Sequence, residues 1–237
     1  MIFIIKYIRF FVLYLLGNNM GFYISEWWRE WWGWDKVKNA IRSLPGRLGF
    51  EKGSELRFFR LRLNLENGEV YDEILERYLT ERERYGLYFI LNVYSKTKQE
   101  VKERGEYVTL SHICPAIHCP MFKENVKAFE ALFGYQPELL YKAAKPFGYE
   151  TMEYGDAAVK IYTLPKVPIV IGIWAGEESL PPSANILFDK SVTNYLDCEA
   201  AIALAGATLA RLILSLAKTV GIDVSKVKFS YRYQCTE

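Results

Sequence analysis

The residues best suited to chemistry lie in one short stretch, SHICPAIHCP, at positions 111–120. It contains both histidines of the chain and two of its four cysteines, as His112, Cys114, His118 and Cys119. Imidazole and thiolate are the usual protein ligands of zinc, iron and copper, so this concentration indicates a metal site. The spacing matches no standard zinc-finger pattern, so it does not identify the metal. We expect zinc or iron, or an iron-containing cofactor such as haem.

Two prolines constrain this stretch. Pro115 and Pro120 hold the preceding Cys114 and Cys119 toward extended backbone. Pro120 also suits the first position of the helix that follows, which sets Cys119 near a helix N-terminus, where a thiolate is stabilised. The two Cys-Pro dipeptides resemble the short haem-regulatory motif. Four interpretations stay open: metal or metallocofactor ligands, buried inert thiols with hydrogen-bonded histidines, a Cys119/His118 nucleophile or redox pair, and a Cys114–Cys119 disulfide.

Candidates elsewhere in the chain are weaker. The acidic residues Glu177, Glu178 and Asp189, with Asp156, could form a carboxylate cluster, although solvated loop charge is the simpler interpretation. Cys198 begins a predicted helix and is either a distal ligand or a small packed residue. The glycine spacing contains no dinucleotide-binding, P-loop or nucleophile-elbow motif.

The composition narrows the class of protein. Of 237 residues, 51% are hydrophobic and 24% are charged, which is typical of a globular protein and excludes a disordered one. The net charge of +2 gives no support to nucleic-acid binding. Four cysteines are too few for a densely disulfide-bonded scaffold. Charged runs such as residues 81–84 hint at a thermophilic source.

The N-terminus is predicted to be an extension of the fold. Residues 1–16 are apolar apart from two basic side chains, and as a helix they would be about 24 Å long, short of a bilayer core of about 30 Å. No signal-peptide cleavage pattern follows. We therefore expect one of three cases for residues 1–19. Translation starts at Met20 and the segment is not part of the natural protein, or the segment is a short membrane anchor, or it is a packed helix. The remaining 20–237 would be a single cytoplasmic domain, with membrane association only through the N-terminus.

A tryptophan-rich helix is predicted between Ser25 and Leu44. Its spacing places one group of tryptophans on one face and the rest on a neighbouring face. Docking on the core is the simpler interpretation, and an aromatic wall for a ligand, a protein partner or the membrane interface is the alternative. If a protein partner binds this helix, we expect the contact at Trp27, Trp28, Trp31 and Trp32.

The remaining patterns predict strands and helices in irregular order. Strands are expected at 55–65, 85–94, 107–110, 151–163, 168–174, 185–188 and 226–233. Helices are expected at 72–80, 96–104, 121–133, 137–144 and 198–220. Neighbouring strands with separate helices indicate an α+β fold, with a mixed β-sheet that carries helices on its faces.

The C-terminal half carries a series of short motifs in a recognisable order. They are Gly155-Asp156, Pro165 and Pro168 before a strand ending at Trp174, Gly176-Glu177-Glu178, Leu187-Phe188-Asp189 and Tyr195-Leu196. This series resembles the DUF3786 family over about residues 129–210, and the similar part would run to 237. The resemblance implies no activity. It does imply metal or redox surroundings, because some relatives are joined to iron–sulfur modules.

Together these patterns favour an accessory protein that binds a metal or metallocofactor through residues 111–120, called the His/Cys loop below. One alternative is a thiol-dependent enzyme, with Cys119 as nucleophile and His118 as base. The other is a non-catalytic interaction module that uses the tryptophan-rich face.

Overall fold

The computed structural model describes residues 26–115 and 120–224, and its helices and strands form an α+β fold. The helices are α1 (Glu26–Trp32), α2 (Trp34–Ile41), α3 (Glu81–Ser95), α4 (Leu110–Ile113), α5 (Pro120–Phe133), α6 (Leu139–Ala144) and α7 (Cys198–Thr219). The strands are β1 (Glu55–Phe58), β2 (Leu61–Asn64), β3 (Val70–Asp72), β4 (Arg77–Tyr78), β5 (Tyr107–Thr109), β6 (Glu150–Thr151), β7 (Ala157–Leu164), β8 (Val167–Trp174) and β9 (Ser183–Asp189). The predicted α+β class is confirmed, but the expected mixed sheet is wrong, because the described strands form two sheets in which every pair is antiparallel. The extension at 1–19 and the strand at 226–233 lie outside the described residues.

The first sheet is an antiparallel meander in the order β1-β2-β3-β4. The single strand predicted over 55–65 is wrong, because β1 and β2 form a hairpin in which Leu56 pairs with Leu63. Phe59 and Arg60 turn the chain with φ angles of 46° and 60°. Two consecutive positive φ angles give a hairpin turn whose twist matches the strands. Two adjacent apolar residues, Phe58 and Phe59, interrupt the alternation of this stretch, and the interruption coincides with the turn.

The second sheet has the order β5-β9-β8-β7-β6, and its neighbouring strands pair antiparallel. Strands β7 and β8 are separated at Pro165, as predicted. Every residue of β8 except Trp174 is buried, which explains its nearly continuous apolar sequence. Helix α6 packs against β7, and helices α4 and α5 pack against β9. The sheet thus carries α4 and α5, the helices that come before and after residues 114–119 in the sequence.

Helix α7 passes through the core. It begins after Asp197, whose carboxylate accepts a hydrogen bond from Ala200 N at 2.9 Å, as the sequence predicts for an N-cap. It packs against α3, α5 and α6. Among the described residues it is the one helix long and apolar enough to span a membrane, and its most apolar 18-residue window is 100% buried in the protein. The helix predicted at 198–220 is therefore a core helix of the fold.

Helix α3 replaces a predicted strand. The strand expected at 85–94 is wrong, because residues 81–95 form a helix that is buried on most sides. A fully buried helix shows little periodicity in its sequence, so its apolar run resembles a central strand. Its first turn is fixed by Glu83, whose carboxylate accepts from Thr80 N at 2.8 Å and pairs with Arg77 at 2.6 Å.

The helices predicted at 72–80 and 96–104 are also wrong: the first region forms the β3–β4 turn, and the second is a loop.

The tryptophan-rich segment is divided into α1 and α2 at Gly33. The ring centroid of Trp32 lies 4.8 Å from that of Phe89, and the ring of Trp34 lies 5.4 Å from that of Tyr88. Docking on the core is thus observed for these two tryptophans, whereas Trp31 is 59% exposed. The side chains of Trp27 and Trp28 lie outside the described residues.

A buried ion pair joins α7 to the first sheet. Arg211 Nη1 lies 2.5 Å from Asp72 Oδ2, and both side chains are 0% exposed. Arg211 also donates to Phe59 O at 3.0 Å, and Asp72 accepts from Ile74 N at 2.8 Å. These contacts fix the β1–β2 turn and the end of β3 against the middle of the core helix.

Candidate functional site

Two of the predicted sulfur ligands lie together in the structure. Cys114, which follows α4, forms a disulfide with Cys198, the first residue of α7. The two residues are separated by 84 positions in sequence, and their Cα atoms lie 5.6 Å apart. The Cys114–Cys119 disulfide considered above is therefore wrong. The observed pairing instead attaches the His/Cys loop to the N-terminus of the core helix.

A cavity of about 320 Å³ lies beside this disulfide, with Cys114 in its wall. It is open to solvent on one side and is lined by the β5–α4 segment, the first half of α5 and the start of β9. Its apolar lining includes Phe122 and Val126, and its polar lining comprises Thr109, Ser111, Lys123 and Asn185. Cys114 is only 5% exposed. The sulfur can thus meet a small molecule mainly through this cavity.

The other predicted ligands divide into two groups. His112 is exposed, whereas Cys114, two positions later, is buried. The two side chains therefore lie in different environments, His112 on the surface and Cys114 in the core. His118 and Cys119 lie outside the described residues. Within the residues that the structure describes, no three His, Cys, Asp or Glu side chains form a group that could hold a metal ion.

The predicted carboxylates lie at opposite ends of one strand. Glu177 and Glu178 are exposed in the turn between β8 and β9, where Glu177 forms a bridge with Leu180. Asp189 is the last residue of β9 and is 0% exposed. A strand of that length separates its ends by roughly 20 Å. The structure does not bring the three carboxylates together.

Asp189 holds the loop before β5 in place. Its carboxylate accepts hydrogen bonds from Gly105 N at 2.7 Å, Arg104 N at 3.1 Å and Ser191 N at 2.8 Å. Burial alone would raise the pKa of Asp189, but hydrogen bonds outweigh it and hold the pKa below its ordinary value. The residue is therefore an ionised structural anchor, and this geometry gives it no part in a metal site.

Replacing Asp189 with asparagine should lower stability by about 1–3 kcal/mol at neutral pH, because the N–H groups of Arg104, Gly105 and Ser191 lose a charged acceptor that is itself buried. The pKa is lowered in the folded state, so the stabilisation is complete above the unfolded pKa of about 4 and disappears as pH falls through the folded pKa. The difference in melting temperature between wild type and Asp189→Asn should narrow below about pH 4.

The exposed pair of Glu124 with Lys127 provides the control for this prediction. Glu124→Gln should change the melting temperature little at any of these pH values, since an exposed ion pair contributes about 0–1 kcal/mol. Equal effects of the two substitutions at neutral pH would contradict the anchoring role of Asp189.

Sequence reasoning did not identify the polar residues of the cavity. Ser111 lies within the His/Cys stretch, but its hydroxyl has no distinguishing sequence signal. Lys123 and Asn185 lie on α5 and β9, and only the packing of α5 against β9 brings them to one cavity. The N-cap at Asp197 was the one local signal that marked the start of α7, and hence the position of Cys198 at a helix N-terminus.

Comparison with known proteins adds a family match. A family model described as a domain of unknown function (DUF3786) matches residues 44–211, which covers most of the chain. The matched region begins well before residue 129 and includes the cavity, both cysteines of the disulfide and the Asp72–Arg211 pair. No curated protein and no solved structure matches the chain.

Proposed function

This chain belongs to the DUF3786 family, and from that premise we propose that it is an accessory protein that binds a metal ion or metallocofactor at its His/Cys loop. The ligand set consists of Cys114 and Cys198 in their reduced form, with His118 and Cys119 from the loop. His112, which is exposed while Cys114 is buried, is the weakest candidate. Zinc or iron suits these donors, and an iron-containing cofactor such as haem would use the same thiolates.

The observation that carries the proposal is the proximity of Cys114 and Cys198, at a Cα–Cα distance of 5.6 Å beside a cavity. Reduction of the disulfide would leave two thiols close together, and thiolates are the form in which cysteine binds metal. No third ligand stands near them among the described residues, so the site needs at least one residue from the adjoining loop. His118 and Cys119 are the residues of that loop with suitable chemistry.

Because Cys114 and Cys198 form a disulfide, metal binding in this proposal depends on the redox state of the pair. Intracellular proteins seldom keep disulfides, except in hyperthermophiles or where the bond responds to redox state. Cysteines in a disulfide have no thiolate to offer to a metal. The oxidised protein would therefore be the empty form, and the reduced protein would be the binding form.

The test is a metal titration of the full-length protein, reduced or oxidised, under anaerobic conditions. The reduced protein should bind about one Zn²⁺ or Fe²⁺ per chain by elemental analysis, and Co²⁺ should give a thiolate charge-transfer band. Binding should weaken as pH falls, because the ligands must lose protons. The oxidised protein should bind at least about tenfold more weakly, a difference of about 1.4 kcal/mol.

Serine substitutions distinguish the proposed ligands from other thiols. Cys114→Ser, Cys198→Ser and Cys119→Ser should each weaken binding by the reduced protein, whereas Cys235→Ser should not. Unchanged affinity in Cys114→Ser and Cys198→Ser would contradict a site at the disulfide. Reduced protein that binds none of these ions would contradict the proposed function as a whole.

A second candidate function is protein binding through the tryptophan-rich helices. It is favoured by the exposure of Trp31, which at 59% is unusual for so large an apolar side chain. Trp27 and Trp28 would complete the contact, together with the part of Trp32 that its packing on Phe89 leaves exposed. Association that depends on protein concentration and is lost in Trp31→Ala or Trp28→Ala would support it, and monomeric protein without a recovered partner would count against it.

The thiol-dependent enzyme remains the third proposal, with Cys119 as nucleophile and His118 as base. Stoichiometric alkylation of Cys119 at neutral pH, faster than that of any other thiol, would support it. All three proposals set the protein in the cytoplasm, where any membrane contact would involve residues 1–19.

A further inference from the structure

We propose that the cavity beside Cys114 binds an anionic low-molecular-weight thiol, or its disulfide, and that this molecule exchanges with the Cys114–Cys198 disulfide. The exchange would release the two thiols that the proposed metal site uses. Its biological role therefore rests on the proposed function. The chemistry itself requires no metal.

The cavity presents Cys114 to a bound thiol, since Cys198, although partly exposed, is not among the residues that line the cavity. Cys114 lines the cavity and is otherwise buried, with 5% of its surface exposed. The volume of about 320 Å³ lies at the lower end of the range for small-molecule sites. A small thiol that enters the cavity therefore meets the sulfur of Cys114, and the bond to Cys198 is the one that breaks.

The reaction balances in two exchange steps. The thiolate of the small molecule attacks Cys114 Sγ, a mixed disulfide forms, and the bonding electron pair leaves with Cys198 Sγ, which takes up a proton from water. A second small-molecule thiolate attacks the mixed disulfide and releases Cys114 as a thiolate, which is also protonated. Two thiols are oxidised to one disulfide, and the protein disulfide is reduced to two thiols.

The leaving sulfur occupies a favourable position. Cys198 is the first residue of the 22-residue helix α7, next to the N-cap Asp197. Backbone N–H groups at a helix N-terminus stabilise negative charge, so they favour departure of the Cys198 thiolate. The reverse reaction, oxidation of the reduced pair by a small disulfide, passes through the same mixed disulfide on Cys114.

The cavity lining indicates the charge of the small molecule. Lys123 provides an exposed cation at the cavity, and the side chains of Ser111 and Asn185 provide neutral hydrogen-bonding groups. A carboxylate is the natural partner of such a set, while Phe122 and Val126 suit a methylene body. These features favour an acidic thiol over a neutral thiol of similar reactivity.

The experiment uses full-length protein, reduced and metal-free, under anaerobic conditions. It is oxidised with glutathione disulfide, which is anionic, or with 2-hydroxyethyl disulfide, which is neutral. Acid quenching and peptide mass spectrometry then follow formation of the Cys114–Cys198 bond separately from Cys119 and Cys235. Lys123→Glu should slow oxidation by glutathione disulfide about fivefold, with little effect on the neutral reagent.

The matched control is Lys127→Glu, one turn further along α5, where Lys127 pairs with Glu124 and does not line the cavity. It should leave both rates nearly unchanged. The mixed disulfide trapped in Cys198→Ser should lie on Cys114, and its formation should also slow in the Lys123→Glu background. The adduct on Cys198 in Cys114→Ser should not respond to Lys123.

Two results would overturn the proposal. One is an equal effect of Lys123→Glu and Lys127→Glu, which would indicate net charge rather than a site. The other is a ratio of the oxidation rate with glutathione disulfide to the rate with 2-hydroxyethyl disulfide that is the same in Lys123→Glu as in the wild type. Because no metal is added, these results are independent of the metal titration, and either proposal can fail while the other stands.

Discussion

Replacing Arg211 with methionine should lower the melting temperature by about 10 °C, because it leaves the Asp72 carboxylate buried without its countercharge. The two side chains are fully buried, with Arg211 Nη1 2.5 Å from Asp72 Oδ2. Breaking a buried ion pair from one side costs about 3–5 kcal/mol, out of a total stability of about 5–15 kcal/mol. Thermal unfolding followed by circular dichroism measures the shift.

Two further variants show whether the loss comes from the unpaired charge. Arg57→Met removes an exposed partner of Glu55, and it should cost less than about 1 kcal/mol. Adding Asp72→Asn to Arg211→Met should recover part of the stability, since the amide oxygen can still accept from Ile74 N without carrying a charge. Similar shifts in Arg211→Met and Arg57→Met would contradict a stabilising role for the buried pair.

Elements with a strong local signal were predictable from the sequence. Helix α7 has an N-cap at Asp197 and a long apolar run, and the observed helix, Cys198–Thr219, ends one residue before the predicted limit. Helix α5 has clear amphipathic spacing and ends at Phe133, before Gly134. Strands β7 and β8 are divided at Pro165, which interrupts an otherwise continuous apolar pattern. In each case a capping or breaking residue coincides with a clear hydrophobic pattern.

Helix α3 shows where a hydrophobic pattern misleads. The run from Tyr85 to Tyr94 is rich in aromatic and branched residues. In the absence of another sequence signal, these residue types favour a strand. Burial on most sides removed the polar face that would have revealed a helix. The pair of Thr80 and Glu83 was present in the sequence at capping-box spacing, and it was the available signal for a helix start.

The candidate site was visible in the sequence only in part. The concentration of histidine and cysteine marked the loop, but four cysteines allow several pairings, and no local pattern selects among them. Cys114 meets Cys198 because α4 packs against the start of α7, a contact between distant parts of the chain. The buried partner of Asp72 is set in the same way by tertiary packing. Sequence patterns report local structure well, and these pairings are not local.

Removing the Cys114–Cys198 disulfide should lower stability by about 4.5 kcal/mol in the chain-entropy account, because the bond closes a loop across a sequence separation of 84. The Cys114→Ala/Cys198→Ala variant should therefore melt about 10 °C below the oxidised wild type. A phosphine reductant should lower the wild type to a similar temperature and leave the variant unchanged. That insensitivity of the variant would exclude Cys119 and Cys235 as the source of the effect.

The reduced protein should nevertheless remain folded at 25 °C. Helix α7 is held by its packing against α3, α5 and α6 and by the Arg211–Asp72 pair, and neither depends on the disulfide. A loss of about 4.5 kcal/mol is less than the stability typical of a domain, about 5–15 kcal/mol. A cooperative melt in reductant, with far-UV circular dichroism like that of the oxidised protein, would show the folded dithiol state that metal binding and thiol exchange both require. An unchanged melting temperature, with mass spectrometry showing that the pair is reduced, would contradict the stabilising role of the cross-link.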